Sequence, residues 1–262
     1  MTRLLVAAGQ AAPVNGDVAA NVALACSLVE QAGERGVRLL VLPEAFLTGY
    51  DWAAFDAVVA TGSPAEADLP TLLAPLADAA RAAACTVLVS TPLVRPTGVH
   101  LSTVLVRPDG AVDAVYDKKH VDRLETGWFT GGAHRPVVVD VEGLRVGLAI
   151  CFDSRFPEHA AACAAAGAQV YAVSTAYLEG STRGREVSLP ARALDNGVYV
   201  VAGAALGSCG DRPIVGGSCV LDPEGRELAA LGAEPGLAVA EVDLDRLSDV
   251  RARQTMHADR LG

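Results

Sequence analysis

The stretch Gly147-Leu148-Ala149-Ile150-Cys151-Phe152-Asp153-Ser154-Arg155-Phe156-Pro157-Glu158 reads as a buried strand that stops at a thiol and turns into a helix. Val146, Leu148 and Ile150 alternate with small Gly147 and Ala149, which suits a strand with tight neighbours. Pro157 can open a helix, because the first helical position needs no backbone N–H. Gly167 would then close a helix over Glu158–Ala166. A thiol between a strand end and a helix start lies near unpaired N–H groups and a positive dipole end, which favours thiolate over thiol. A buried cysteine is more usually a small hydrophobe, so this stretch alone leaves nucleophile and core residue as alternatives.

Working outward, strands and helices alternate on the N-terminal side. Leu4–Ala8 predicts a strand, and Asp17 predicts the cap of a helix over Val18–Gln31 with Val22, Ala25, Leu28 and Val29 on one face. Arg38–Leu42 is a nearly all-apolar strand, buried on both faces, with Pro43-Glu44 at its end. A helix near Pro70–Ala83 and a strand at Thr86–Ser90 follow, then a hairpin of Ser102–Val106 and Ala111–Tyr116 around Pro108-Asp109-Gly110. The C-terminal side repeats this order. Val137–Val141 and Arg145–Ile150 flank Glu142-Gly143, and the helix after Cys151 leads to a strand at Gln169–Val173. A helix over Pro190–Asp195, ended by Asn196-Gly197, precedes a strand at Val198–Ala202. A last hairpin, Ser218–Leu221 with Glu227–Leu231, turns at Asp222-Pro223-Glu224-Gly225. Two such halves predict an α/β chain with two mixed sheets packed face to face and helices outside, a four-layer α-β-β-α sandwich in a single domain over residues 1–262. The competing layout is one doubly wound sheet.

Bulk properties narrow the function. Of 262 residues, 51% are hydrophobic and 20% charged, which describes an ordered globular chain. The formal net charge of −10, with no offsetting basic stretch, argues against nucleic acid or an anionic membrane as partner. No apolar run approaches the ~18 residues of a membrane span. Arg3–Gln10 reads as the first strand rather than a signal peptide, because Gly9 and Gln10 interrupt the apolar run early. The six cysteines show neither zinc spacing nor a disulfide framework, so no metal is expected and a cytoplasmic location is. There is no Gly-x-Gly-x-x-Gly after the first strand and no Walker loop, so nucleotide binding has no support.

Three chemically capable residues fall at predicted strand ends: Glu44, Lys118 and Cys151. Strand ends that point one way can converge on one pocket. A thiol nucleophile, a carboxylate that moves protons and an ammonium that stabilises an oxyanion can together perform acyl transfer. Each also has a plainer reading. Glu44 can be a surface carboxylate, Lys118 and Lys119 a solvated pair, Glu125 a salt-bridge partner only. His120 packs or caps, and Cys26 and Cys163 lie on helix faces in the core.

Taken in order, these blocks resemble the carbon–nitrogen hydrolase (nitrilase) superfamily. Gln10, Pro13, Gly16-Asp17 and Asn21 are similar to its opening segment, and Leu42-Pro43-Glu44 with Thr48-Gly49-Tyr50 to its glutamate block. Tyr116-Asp117-Lys118-Lys119-His120-Val121 resembles its lysine block, Glu125 with Phe129 and Gly132 the block of a second glutamate, and Gly147–Glu158 the cysteine block. Ala191–Asn196, Gly217-Ser218 and Asp222–Gly225 resemble later blocks. The resemblance implies the four-layer sandwich, usually paired into dimers, and a Glu44-Lys118-Cys151 set working through a thioester with no cofactor. It implies Glu125 as a support for Lys118, and Lys118 with the Phe152 N–H as oxyanion donors. Phe152-Asp153 after the cysteine resembles the amidase and carbamoylase branches, so a small amide of ω-amide or N-carbamoyl type is the expected substrate. A nitrile substrate, an acyltransferase and a non-catalytic interaction protein on the same fold are the alternatives. Tyr50, Trp128, Phe129 and Phe152 are candidates to line an acyl pocket, with Thr175 and Ala176 from Ser174–Gly180, a loop that departs from the family's commoner Asn-Pro-Ala-Trp. Arg155 or Arg183 is the candidate partner of a substrate carboxylate.

Overall fold

The computed structural model describes residues 3–257 and 259. The elements run β1 (Arg3–Ala11), α1 (Val18–Glu34), β2 (Leu39–Val41), α2 (Trp52–Thr61), α3 (Leu69–Leu72), α4 (Ala74–Ala83), β3 (Thr86–Arg95), β4 (Gly98–Val106) and β5 (Val112–Asp117). There follow β6 (Val138–Val141), β7 (Leu144–Ile150), a 3-10 turn at Cys151–Arg155, α5 (Pro157–Ala165), β8 (Val170–Thr175) and α6 (Thr182–Asn196). The chain continues through β9 (Tyr199–Cys209), β10 (Arg212–Val215), β11 (Cys219–Leu221), β12 (Glu227–Ala230), β13 (Gly236–Asp243) and α7 (Leu244–Arg253).

The strand order is β5-β4-β3-β2-β1-β9-β8-β7-β6, with β13 on β1, β11 on β9 and β12 on β11. β1 and β9 pair over only two positions, Gln10 with Ala204 and Ala11 with Ala205. The expected two sheets are thus the halves of one curled sheet, joined at a narrow hinge. Alternate residues of each strand sort into different cores, as the two-residue period of a strand dictates. In β2, Leu39 and Val41 face the core between the halves, while Leu40 and Leu42 beside it face the core under α1 and α4. In β8, Val170 and Ala172 face the same central core, and Tyr171 and Val173 face α5 and α6. Three apolar layers between four layers of secondary structure make the α-β-β-α sandwich and exclude a doubly wound sheet, which would have no central apolar layer.

Local chemistry places most elements where the sequence pattern does. Asp17 caps α1 by accepting from Ala20 N at 2.9 Å, and Glu142 and Gly143, both at positive φ, turn β6 into β7. Three differences stand out. α6 begins at Thr182, eight residues before the expected start, and carries Pro190 inside rather than at its opening. Leu189 and Ala193 bury the helix on both sides of the proline, and that packing outweighs the lost N–H. α2 escapes a periodicity search because its Ala/Val-rich residues form no stripe: only Ala54 and Phe55 are buried. β13 pairs with distant β1, so no local signal marks it, and β10 forms a tight hairpin with β9 across Gly210-Asp211, a turn that the pattern reading did not use.

Candidate functional site

Glu44, Lys118 and Cys151 come from three separate strand ends and meet at one place. Glu44 follows β2, where Leu42 N still donates to Leu88 O of β3 at 2.9 Å. The next residue, Ala45, has a positive φ of 48°, and its N–H donates to Ser90 Oγ at 3.2 Å. Lys118 follows β5, and its N–H donates to Leu101 O of β4 at 2.7 Å. Cys151 follows β7 with a positive φ of 40°. A non-glycine residue in that region is held there only when its surroundings over-determine it, as happens at working sites. Gly203 of β9 explains how the halves come so close: a Cβ on it would lie 2.3 Å from Val41 O of β2. Only glycine admits that approach, which sets Glu44 of one half beside Cys151 of the other.

The charged core of the site is buried. Lys118 Nζ donates to Glu44 Oε1 at 2.6 Å and to Glu125 Oε2 and Oε1 at 2.6 and 2.8 Å, and all three side chains are buried. Glu125 is itself held by Tyr50 Oη at 2.6 Å and by Asp122 N at 3.1 Å. Glu44 Oε2 has no hydrogen-bond partner among the described residues. Burial, reinforced by the Glu125 charge, outweighs the pull of Lys118 and raises the Glu44 carboxyl to about 7. Burial pulls the Lys118 ammonium down, but the carboxylates of Glu44 and Glu125 hold it above its ordinary value. The Cys151 thiol is pushed well up by burial and then by Glu44, against the opposing pull of Lys118. The expectation of a resting thiolate is therefore corrected: desolvation and a neighbouring carboxylate override the strand-to-helix position. A protonated thiol beside a carboxyl poised near neutrality can exchange its proton.

A second, largely buried cluster surrounds Asp153, two residues after the thiol. Asp153 accepts from Tyr116 Oη at 2.6 Å and Ile150 N at 3.1 Å on Oδ2, and from His120 N at 2.8 Å on Oδ1, with His120 Nδ1 2.9 Å away. His159 extends the chain, with Nε2 3.0 Å from Tyr116 Oη and Nδ1 2.8 Å from Tyr171 Oη. This cluster ties the turn carrying Cys151 to the segment carrying Lys118.

A cavity of about 150 Å3 opens over the thiol, lined by Tyr50, Lys118, Glu125, Phe152, Arg155 and Ala176 among others. Larger hollows of about 360 and 280 Å3 lie elsewhere, away from the thiol, so chemistry rather than volume picks the site. Trp128, Phe129, Thr175 and Arg183 do not line it. Trp128 stacks on Trp52 with ring centroids 5.4 Å apart, and Phe129 packs edge-on against Phe55. The Thr175 hydroxyl is turned onto Gly203 O at 3.2 Å. Arg183 stands on the exposed side of α6 beside Glu186. The sequence reading passed over Asp122, Leu124, Tyr177, Leu178, Ser181 and Arg212, which do line the cavity. The Gly210-Asp211 turn ahead of Arg212 is the one local signal that could have found it. Among the described residues, no group of three His, Cys, Asp or Glu side chains could hold a metal, and no helix is long and apolar enough to cross a membrane.

This combination of fold and thiol site defines a hydrolase of carbon–nitrogen bonds. The family model described as Carbon-nitrogen hydrolase matches residues 5–252, and the chain belongs to that family, in its amidase branch. It is 34% identical over 256 residues to a deaminated glutathione amidase of Escherichia coli O157:H7, covering 95% of this chain and 94% of that one. It is also 34% identical over 245 residues to an (R)-stereoselective amidase of a Pseudomonas species, covering 92% and 86%. A Nesterenkonia amidase of the nitrilase superfamily superposes with a TM-score of 0.82 at 30% identity, covering 98% of both chains. Another structure of that amidase shows acrylamide added to its active-site cysteine.

Proposed function

We propose that the chain is a thiol amidase that releases ammonia from a small amide, with Cys151 as nucleophile, Glu44 as proton carrier and Lys118 as oxyanion donor. The observation that carries the reading is the Glu44 carboxyl, buried, raised to about 7 and open on Oε2 beside the thiol. Glu44 takes the Cys151 proton as sulfur attacks the amide carbon. Negative charge then gathers on the former carbonyl oxygen, where Lys118 Nζ and the Phe152 N–H meet it. That N–H sits in the first turn after β7, where helical donors have no internal acceptor. Each such donor is worth ~3–4 kcal/mol of barrier. As the intermediate collapses, the C–N bond breaks and Glu44 passes its proton to the departing nitrogen, releasing ammonia. Water then attacks the thioester, Glu44 removes its proton, and the acid leaves as the thiol is restored. Glu125 holds Lys118 throughout, anchored by Tyr50. No step calls on a cofactor.

The finer reading is an ω-amide or N-carbamoyl substrate bound in the small cavity, with Arg155 at its rim. The six cysteines are all free, which suits a reducing cytoplasm. The likeness to the family supports a homodimer of single-domain chains, and light scattering should return twice the chain mass. The test of function is ammonia release from primary amides, N-carbamoyl amino acids and nitriles by the wild type and Cys151→Ala. The expected result is release from amides that vanishes in the variant. Release from nitriles alone, or activity that survives Cys151→Ala, would overturn the reading.

A further inference from the structure

Leu189, Arg192, Ala193 and Asn196 share one face of α6, and all four are buried. Leu189 and Ala193 suit such a stripe, and Asn196 Nδ2 turns back onto Arg192 O at 2.9 Å. Arg192 does not suit it, because a buried guanidinium is costly unless its donors are satisfied. Its one carboxylate in ion-pair range among the described residues is Asp195, on the exposed side of the same helix. That carboxylate stands 3.8 Å away, beyond hydrogen-bond reach. The partners Arg192 does have are backbone carbonyls of the turn that carries the thiol. Nε donates to Ser154 O at 3.0 Å and Nη2 to Arg155 O at 3.1 Å.

The turn Cys151–Arg155 is a single 3-10 stretch, too short to satisfy its own last carbonyls. Ser154 Oγ donates to Cys151 O at 2.7 Å and Phe156 N to Asp153 O at 3.1 Å. Arg192 supplies the donors for the two remaining carbonyls at the C-terminal end, where a cation also suits the dipole. The opposite end presents Cys151 and Phe152 to the cavity. Cys151 is held at a φ of 40°, a conformation that lasts only where the surroundings impose it. A planar guanidinium grips two successive carbonyls in one fixed geometry, which an ammonium does less rigidly. Arg251 offers the same chemistry without a thiol. It donates to Gly197 O at 2.8 Å and Ala168 O at 2.7 Å, tying α7 to the chain just after α6 and α5.

We propose that Arg192 is a positioning residue for the nucleophile turn: it holds the Ser154 and Arg155 carbonyls so that Cys151 Sγ and the Phe152 N–H stay where the tetrahedral intermediate forms. The inference rests on the amidase reading, and the experiment separates the two. A reacting group misplaced by about 1 Å can cost about 10²-fold, so Arg192→Ala should lower kcat for propionamide about 10²-fold with KM within about threefold. Arg192→Lys should fall between Arg192→Ala and the wild type, and millimolar guanidinium should restore part of the Arg192→Ala rate. Arg251→Ala should lower the melting temperature and leave kcat unchanged.

Propionaldehyde gives a reading that needs no turnover. The Cys151 thiol adds across its C=O, the S–C bond forming as the thiol proton passes to the oxygen, and the adduct meets the same donors. Its Kd, read from protection of Cys151 against iodoacetamide, should weaken about 10²-fold in Arg192→Ala and less in Arg192→Lys. Hydrolysis with kcat and Kd unchanged in the Arg192 variants overturns the positioning role and leaves the amidase standing. So does a loss of kcat that follows the melting temperature alike in Arg192→Ala and Arg251→Ala. No ammonia from propionamide or any other amide of the panel, with aldehyde binding that depends on Arg192, overturns the amidase reading and leaves the positioning role. If Arg192→Ala does not fold, Arg192→Lys decides on the same two readouts.

Discussion

Glu44 and Asp153 are two fully buried carboxylates of the same region, and they are kept in opposite states. Burial pushes both up. At Asp153 hydrogen bonds from His120 and Tyr116 and the nearby His159 outweigh it, and the carboxyl is held below its ordinary range. At Glu44 one oxygen meets Lys118 and the other, beside the thiol, has no hydrogen-bond partner among the described residues, and the carboxyl stays near neutrality. The difference is how far the surroundings satisfy each charge. A satisfied carboxylate braces structure, while an unsatisfied one keeps a proton available for chemistry.

The comparison breaks most sharply at Glu44. Glu44→Gln removes the proton carrier while keeping the shape, so kcat/KM should fall 10²- to 10⁴-fold. The melting temperature should hold or rise, because a poorly satisfied buried charge is gone; a large loss of stability would place Glu44 with Asp153 as a brace.

The pH axis separates the pair further. A carboxyl raised from 4.5 to about 7 binds more protons folded than unfolded, so its contribution to stability declines as pH rises from about 4.5 to 7. The decline should amount to ~3 kcal/mol and be missing from Glu44→Gln, as melting curves across that range would show. Asp153 has the opposite sign, with its contribution lost only as pH falls below about 3.8. In the wild type kcat/KM should also rise with pH through a midpoint near 7, and a flat profile there would deny Glu44 its role.

Asp153→Asn should cost ~2 kcal/mol and lower the melting temperature by ~4–8 °C, since buried donors lose their charged acceptor. Its activity loss should leave the pH midpoint in place. Tyr50→Phe should show the smallest effect: a ~5- to 10-fold lower kcat with an unchanged melting temperature, because Glu125 keeps Lys118 and Asp122 N as partners. Unchanged kcat would make the Tyr50 hydroxyl dispensable to the site.

Much of this was legible in the residues. Strand ends at Glu44, Lys118 and Cys151, the cap at Asp17 and the turn at Glu142-Gly143 are local signals, because each depends on neighbours in sequence. Pocket lining was read less well. Tyr50 and Trp128 are both aromatic and near the glutamate segments, yet one bonds Glu125 and the other stacks on Trp52 outside the cavity. Composition cannot separate them, because the direction of a side chain depends on which distant ring it meets.

The sequence by itself determined the layers and the chemical groups. The two-residue period of β2 and β8 sorts their side chains into central and outer cores, and the order of strands and helices supplies two matching halves. Only the tertiary structure decided protonation and which side chains line the cavity. The Glu44 carboxyl near 7 and the raised Cys151 thiol come from burial among groups that follow β2, β5 and β7, and Arg212 reaches the cavity on the β9-β10 hairpin, which also bonds to the loop after β8. Desolvation and charge pairing act through space, so no local stretch of sequence carries them.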